Sequence, residues 1–274
     1  RNSGFFKRAF FEDRELYHTQ KVSSADSGRV SNEYCQRLIK SYGADSDVVR
    51  VRVLGEFPKA EADGLIALEH VEAAMNREPV YLGDLVIGVD VARFGDDETV
   101  LCGRKGNAVV ALERYRKADL MTTCGRIVRN VESIQNKFSI KRVVINVDDA
   151  GLGGGVTDRL REVTPHTVNP CLNNAKARDA DHYANWITEQ FFTFRELLES
   201  GEITLPRDDL LTAELVSRKY SINSAGKLII EPKSEFKLRI GHSPDRADAV
   251  ILCYSATNRQ VSAPKFVIGK SYWK

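Results

Sequence analysis

The sequence lacks the signatures of a membrane or secreted protein. No run approaches about 18 apolar residues, so a membrane-spanning helix is not expected. The charged opening stretch, RNSGFFKRAFFEDRELYHTQ, is unlike a signal-peptide core. The five cysteines are odd in number and form no Cys-x-x-Cys pair, which argues against a disulfide scaffold and a structural zinc site and favours a reducing compartment. They are Cys35, Cys102, Cys124, Cys171 and Cys253.

An excess of charge of one sign is also missing. The 40 Lys and Arg residues nearly balance the 38 Asp and Glu residues, which leaves a formal charge of +2. Any attraction to nucleic acid must therefore arise from a local basic patch. The motif G-x-x-x-x-G-K-[ST] is absent, so no P-loop and no ATP hydrolysis are expected. What remains is a chain of 274 residues, 42% hydrophobic, which can bury one large core.

The middle of the chain shows the periodicities of a mixed sheet. Between residues 85 and 116, the segments LVIGVDVAR, ETVLCGRKG and AVVALERYR are separated by FGDD and KGN, and this pattern predicts an antiparallel meander. A helical pattern over residues 120–138 then precedes VVINV, an apolar run typical of a strand buried on both faces. Further helices and strands alternate after it. We therefore predict an α/β fold with three antiparallel strands, then parallel strands, flanked by helices.

The two ends of the chain are less regular. Near the start we predict a strand in YHTQKVSS, a helix in SNEYCQRLIKSYG with Ser31 as its N-cap, and a β-rich stretch in VVRVRVLGEF. Near the end, KLIIEPK predicts a strand and SPDRADAVILCYSA a helix. Residues 259–274 carry basic residues and no acid, which is typical of a tail.

Acidic residues follow two of the predicted strands. Asp90 follows the apolar LVIGV, where a carboxylate is costly unless a cation or hydrogen-bond donors satisfy it, although it could simply cap a turn. Asp148 and Asp149 follow VVINV and precede AGLGGG, at the strand end where α/β proteins gather ligands. Because alternate strand residues face opposite sides, we expect only one of this pair at a site.

A third acidic group lies in the last predicted helix. Asp245 and Asp248 are three residues apart and share one helix face. Asp245 could merely stabilise the helix start, whereas Asp248 directly precedes an apolar run. Carboxylates without His or Cys select Mg²⁺ or Mn²⁺, and two such ions would serve phosphodiester chemistry. The glycine-rich turn could alternatively cradle a mononucleotide phosphate, but it lacks the G-x-G-x-x-G spacing.

Basic residues cluster just before and within that helix. If their segment is a hairpin, alternate side chains would form a track for a nucleic-acid backbone. Glu231 and Glu235 are interleaved, so an ordinary solvated face is the alternative. The candidate DNA-binding residues are Lys233, Lys237, Arg239, His242 and Arg246.

Three motifs carry a family resemblance. In this order and at these distances, LVIGVDVARFGDDETV, VVINVDDAGLGGGVTDRL and HSPDRADAVILCYS resemble the nuclease domain of the large terminase subunit of tailed bacteriophages. The resemblance implies a ribonuclease H-like fold, and an endonuclease that uses Mg²⁺ or Mn²⁺, with two ions expected, to cut double-stranded concatemeric viral DNA in the host cytoplasm. It also implies two partners, a small terminase subunit and a portal protein. The metal-binding catalytic residues that it implies are Asp90, Asp148, Asp245 and Asp248.

The resemblance also suggests a domain division. Residues 1–58 resemble the end and linker of the packaging ATPase domain, residues 59–258 form the expected nuclease domain, and residues 259–274 form the tail. Because the P-loop is absent, we expect a fragment of the motor. Two alternatives remain open: a Holliday junction resolvase or transposase-like enzyme with the same acids, and a non-catalytic docking module of the motor. An actin-like or sugar-kinase-like nucleotide binder needs two such modules, for which the chain is too short.

Overall fold

The computed structural model of the chain contains two compact units. The first unit comprises Arg1–Arg77 and Asn174–Ala247, and the second comprises Glu78–Asn173 and Asp248–Lys274. These units are defined by compactness, so the domain boundaries expected at residues 58 and 258 stay predictions. The structure describes residues 5–24, 26–42, 44, 47–57, 64–92, 98–116, 118–149 and 153–255.

The second unit is built on a five-stranded sheet with the order β3-β2-β1-β4-β5. β1 pairs with β2 and β2 with β3 in antiparallel fashion, whereas β4 runs parallel to both β1 and β5. The predicted meander followed by parallel strands is therefore confirmed. The strands are β1 (Leu85–Asp90), β2 (Thr99–Lys105), β3 (Ala108–Tyr115), β4 (Val143–Asp148) and β5 (Thr167–Cys171).

A short turn joins β2 to β3, as the KGN sequence predicts. Gly106 adopts a positive φ of 61°, which a residue with a side chain adopts only with strain. The FGDD turn expected between β1 and β2 and the tail expected at residues 259–274 lie outside the described residues.

Two helices cover one face of this sheet. The helices are α5 (Leu120–Phe138) and α6 (Gly153–Val163). Helix α5 presents Ile127, Val131 and Ile134 at helical spacing, and they pack with Ile87 and Ile145 in the main core of the unit. The Asp119 side chain caps the start of α5 by accepting from Thr122 N at 2.8 Å.

Helix α10 (Asp245–Tyr254) covers the other face of the sheet from Asp248 onward. The Asn146 amide donates to Leu252 O at 2.8 Å, and Arg104 Nε donates to Cys253 O at 2.7 Å. A Cβ at Gly88 would lie 2.2 Å from the carbonyl oxygen of Ala249, so α10 touches the β1 backbone.

The first unit is mostly helical. Its helices include α7, which is the long helix predicted from ANWITEQFFTFRELLES, and its two-stranded sheet pairs β6 with β7. A small core joins α2, α3 and α8 through Leu38, Val49 and Ala213. No described helix is long and apolar enough to cross a membrane. The elements are α1 (Phe5–Phe10), a 3-10 turn (Arg14–Leu16), α2 (Asn32–Tyr42), α3 (Asp47–Arg52), α4 (Leu68–Met75), α7 (Trp186–Glu199), α8 (Asp209–Ser217), β6 (Tyr220–Ile222), β7 (Leu228–Ile230) and α9 (Lys233–Ile240).

Three local expectations for this unit are corrected. The predicted strand at residues 17–24 has no strand structure, and the β-rich stretch contains helix α3 instead. The basic segment after β7 forms helix α9 and not a hairpin. By contrast, the predicted helix α2 is confirmed, and Ser31 accepts a hydrogen bond from Tyr34 N at 3.2 Å as an N-cap does.

Candidate active site

Asp90 and Asp148 end neighbouring parallel strands of the second unit. The register aligns Val89 with Val147, so the next residue on each strand places Asp90 beside Asp148. Only 4% of Asp90 and 7% of Asp148 is exposed. Adjacent strands lie about 4.8 Å apart, and residues opposite each other share a face of the sheet. Two buried carboxylates side by side repel each other unless a cation or donors stabilise them.

The two carboxylates lie on the α10 face of the sheet. Alternate residues on the same strands, Gly88 and Asn146, contact α10. Asp149 lies on the opposite side, where the Thr157 hydroxyl of α6 donates to its Oδ1 at 2.7 Å. Of the adjacent pair Asp148 and Asp149, one residue therefore faces the site, as strand alternation predicts.

Neighbouring polar groups define the surroundings of Asp148. The Asn173 amide donates to Asp148 Oδ2 at 3.0 Å and so fixes the orientation of the carboxylate. Cys171 lies opposite Asp148 on β5. Burial, reinforced by the negative charges of Asp148 and Asp149, raises the pKa of the Cys171 thiol to about 12. The thiol therefore stays protonated near neutral pH.

Asp248 lies on α10 at the same end of the sheet. The Ala249 carbonyl contacts the β1 backbone at Gly88, and four residues later Cys253 Sγ donates to Val86 O at 3.5 Å. The helix therefore runs antiparallel to β1, and Asp248 lies toward the end that carries Asp90. The Asp248 side chain is buried, with 4% exposed. Asp245 starts the same helix within the first unit and is 9% exposed.

The acidic residues do not form a complete metal cage. Within the described ranges, no group of three or more His, Cys, Asp or Glu side chains is arranged to hold a metal ion. Asp90 and Asp148 nevertheless fit a hard divalent cation, because both supply oxygen ligands at one point of the sheet. Mg²⁺ is commonly held by one or two carboxylates, with waters and substrate phosphates as the remaining ligands.

Two of the predicted DNA-binding residues form intramolecular ion pairs in the first unit. Arg239 donates to both carboxylate oxygens of Glu231, at 2.9 and 2.6 Å. Arg246 is buried, with 5% exposed, and its Nη1 donates to both carboxylate oxygens of Asp208 at 2.6 Å. Because these two cations are already neutralised, their position does not favour a contact with phosphate.

The other predicted basic residues lie around helix α9. Lys233 and Lys237 are four residues apart on one face of this helix, and Lys237 is exposed. The His242 ring lies 3.8 Å from Glu214, and its Nδ1 is 3.0 Å from Ser243 O. Their roles in DNA binding stay predictions.

Comparison with known proteins bears on the fold and the family. Over 241 residues, which is 83% of this chain, the sequence is 24% identical to a probable terminase large subunit of Enterobacteria phage P7. The match covers 48% of that protein, so the chain spans about half the length of this relative. No protein-family model matches the chain.

Solved structures of large terminase subunits are also similar to this chain. The nuclease domain of the large terminase subunit gp2 of bacterial virus Sf6 superposes with a TM-score of 0.61 and 18% identity, over 71% of this chain and 99% of that one. A mutant of the same domain, with manganese and beta-thujaplicinol, has a TM-score of 0.58 and 19% identity at the same coverage. The resemblance to large terminase subunits is confirmed. The ribonuclease H-like fold predicted for this chain is also confirmed, because the chain superposes on these nuclease domains.

Several polar residues of this candidate site are not predicted by the sequence motifs. Asn146 lies within the apolar VVINV run, where a lone amide is a usable signal of a buried polar contact. The Asn169 amide donates to Asn146 Oδ1 at 3.1 Å, and Asn146 donates in turn to Leu252 O. This chain of hydrogen bonds joins β5, β4 and α10 next to Asp148. Asn173 gives no such signal, because it lies in an irregular segment after β5.

Proposed function

We propose that this chain is a divalent-metal-dependent endonuclease that cuts double-stranded concatemeric viral DNA during genome packaging. The observation that carries the proposal is the pair of buried carboxylates, Asp90 and Asp148, at the ends of the adjacent parallel strands β1 and β4. The similarity to a probable large terminase subunit and to terminase nuclease domains supports it.

Asp90 and Asp148 would hold Mg²⁺ or Mn²⁺, with Asp248 and Asp245 as proposed further ligands and two ions expected. When bound, such ions activate a water and stabilise the leaving oxygen of a displacement at phosphorus. Oxygen ligands without His suit these hard cations. The structure of a terminase nuclease domain with manganese, noted above, supports this choice of metal.

The chain's own residues prepare this site before any substrate binds. Asn173 orients the Asp148 carboxylate through the hydrogen bond to Oδ2. The chain of hydrogen bonds from Asn169 through Asn146 to Leu252 O fixes α10 on the sheet. Ligands held in place by such outer contacts need less rearrangement when the substrate arrives.

Cleavage of supercoiled plasmid DNA with Mn²⁺ tests the proposal. Asp90→Asn and Asp148→Asn keep the size of each side chain but remove its charge, and each should lower the cleavage rate by at least about 100-fold, because metal catalysis supplies several kcal/mol of transition-state stabilisation. Asp149→Asn is the matched control, since Asp149 lies on the α6 side of the sheet. Full cleavage by Asp90→Asn or Asp148→Asn, with folding verified by circular dichroism, would reject the assignment.

The same assays separate the alternative functions. A junction resolvase would cut four-way junctions in preference to linear duplex. A non-catalytic docking module would bind no Mn²⁺ in calorimetry at millimolar concentration and would cut neither substrate. Our proposal requires Mn²⁺ uptake that Asp90→Asn abolishes.

The setting of the reaction is part of the proposal. A small terminase subunit and a portal protein are the proposed partners, and the host cytoplasm is the proposed location. The P-loop motif is absent from the sequence, so we expect no ATP hydrolysis by this chain. Lys233, Lys237 and His242 stay candidates for DNA contacts, whereas Arg239 and Arg246 would first have to leave Glu231 and Asp208.

A further inference from the structure

Arg114 on β3 lies in the same row of the sheet as the carboxylate pair. It is aligned with Val100 on β2, and Val100 is aligned with Asp90 on β1. Residues aligned across a sheet share a face, and each strand spacing is about 4.8 Å, so Arg114 lies about 10 Å from Asp90 along the row. Arg114 is therefore at the same strand end as the proposed metal site.

The neighbours of Arg114 establish the direction of its side chain. Tyr115, the next residue on β3, has its ring 4.7 Å from the Arg126 guanidinium of α5. Because successive strand residues alternate, Arg114 points away from α5, to the face that carries Asp90 and Asp148. Arg114 and the two carboxylates are thus on one face of the sheet.

Arg114 is available to an external anion. Its side chain is exposed, and it makes no hydrogen bond or ion pair within the described part of the chain. Two other arginines of this unit have internal partners: Arg104 donates to Cys253 O at 2.7 Å, and Arg116 pairs with Glu98 at 3.1 Å. An exposed guanidinium without a partner binds phosphate oxygens well, because two of its N–H groups can donate in parallel.

We propose that Arg114 binds a phosphate of the DNA backbone that flanks the scissile phosphate. This inference rests on the proposed nuclease function. It identifies a residue that would hold the DNA substrate beside the proposed metal site. The carboxylate pair alone repels DNA, and a cation about 10 Å away in the same row offsets that repulsion at a neighbouring nucleotide.

Equilibrium binding of a fluorescent DNA duplex, measured by anisotropy at several salt concentrations in EDTA, tests Arg114 without any cleavage. Arg114→Gln should weaken binding about two- to fivefold and reduce the slope of log K against log salt by about 0.9, the value for one phosphate contact. Arg114→Lys, which keeps the charge, should restore most of the slope. In cleavage assays, Arg114→Gln should raise KM with little change in kcat.

Arg142→Gln is the matched control. Arg142 is also exposed, but it immediately precedes β4 and so lies at the opposite end of the sheet from Asp148. Equal slopes for Arg114→Gln and the wild type, or equal losses in Arg114→Gln and Arg142→Gln, would overturn the proposal and leave Arg114 as a charge that protects an edge strand. Failure of the wild type to bind duplex would also overturn it. Binding without cleavage would reject only the nuclease function.

Discussion

Tyr115 buries its hydroxyl at the α5 side of the sheet. The hydroxyl lies near the Thr123 side chain of α5, which is also buried. Burial raises the pKa of Tyr115 to about 12, and the Thr123 side chain and the positive charge of Arg126 oppose that rise only partly. The folded protein therefore keeps this proton at a pH where the unfolded chain, with a tyrosine pKa of about 10, releases it.

The pH dependence of stability follows from this difference. Between pH 10 and pH 12 the folded state binds the additional proton, so the free energy of unfolding falls as the pH rises. Tyr115→Phe removes this contribution, and its stability relative to the wild type should rise by about 1 kcal/mol between pH 8 and pH 11. Urea unfolding at the two pH values measures it, with the exposed Tyr17→Phe as control. An unchanged difference would contradict the prediction.

The carboxylate pair could be predicted from single residues because each acid ends an apolar run that reads as a buried strand. The residues that contact those acids could not be predicted in this way. Asn173 is 25 residues from Asp148, and no local pattern connects a loop amide with a distant carboxylate. Arg114 gives no sequence signal either, since exposed arginines are common on edge strands. Only the strand register shows that Arg114 lies in the same row of the sheet as Asp90.

At the scale of elements, the contact between α10 and β1 depends on Gly88. A Cβ there would lie 2.2 Å from Ala249 O and 2.8 Å from Cys253 N, both backbone atoms that cannot move alone. Gly88→Ala should therefore lower the free energy of unfolding by about 1 to 3 kcal/mol or more, the usual cost of overpacking. It should also reduce Mn²⁺ binding if Asp248 is a ligand.

Gly125→Ala is the control for that substitution. Gly125 lies on α5, and a Cβ there meets nothing within 4 Å. Because alanine favours a helix over glycine, this variant should gain up to about 1 kcal/mol. Chemical unfolding of both variants measures the contrast. A stable Gly88→Ala protein would show that α10 is not tightly packed on β1.

Helix α3 shows why alternation misled the prediction of an element. The V-R-V-R pattern resembles a half-buried strand, yet Val49 and Val53 are buried four residues apart while Val51 is exposed. The two buried valines pack against α2 in a small core, which favours a helix over the intrinsic preference of valine. This packing depends on the position of α2 in the fold, which the local sequence of α3 does not indicate.

Helix α9 was missed although its sequence carries end signals. Pro232 precedes the helix, and Gly241 follows it with a φ of 94°. A proline near the start and a glycine just past the end are typical of a helix. Phe236 is its one fully buried side chain within the described residues. The apolar spacing typical of a helix is therefore weak, and the sequence instead suggests a hairpin that continues from β7.

At the scale of the whole molecule, metal binding should stabilise the second unit, which holds both Asp90 and Asp148. A ligand that binds only the folded state adds about 2.7 kcal/mol at 100 times its Kd. Differential scanning calorimetry should therefore show a transition that rises by several degrees with Mn²⁺ and returns with EDTA. Asp90→Asn should lose the shift and Asp149→Asn should keep it. No shift in the wild type at millimolar Mn²⁺ would contradict a metal site.

The burial of all five cysteines has a practical consequence. Since no native thiol is accessible and burial raises the pKa of Cys171 to about 12, maleimide dyes should leave the folded wild type unlabelled. A single cysteine introduced on the surface would then carry the only fluorophore or spin label. Distances from such a label to bound Mn²⁺ could be measured by paramagnetic relaxation without first removing any native residue.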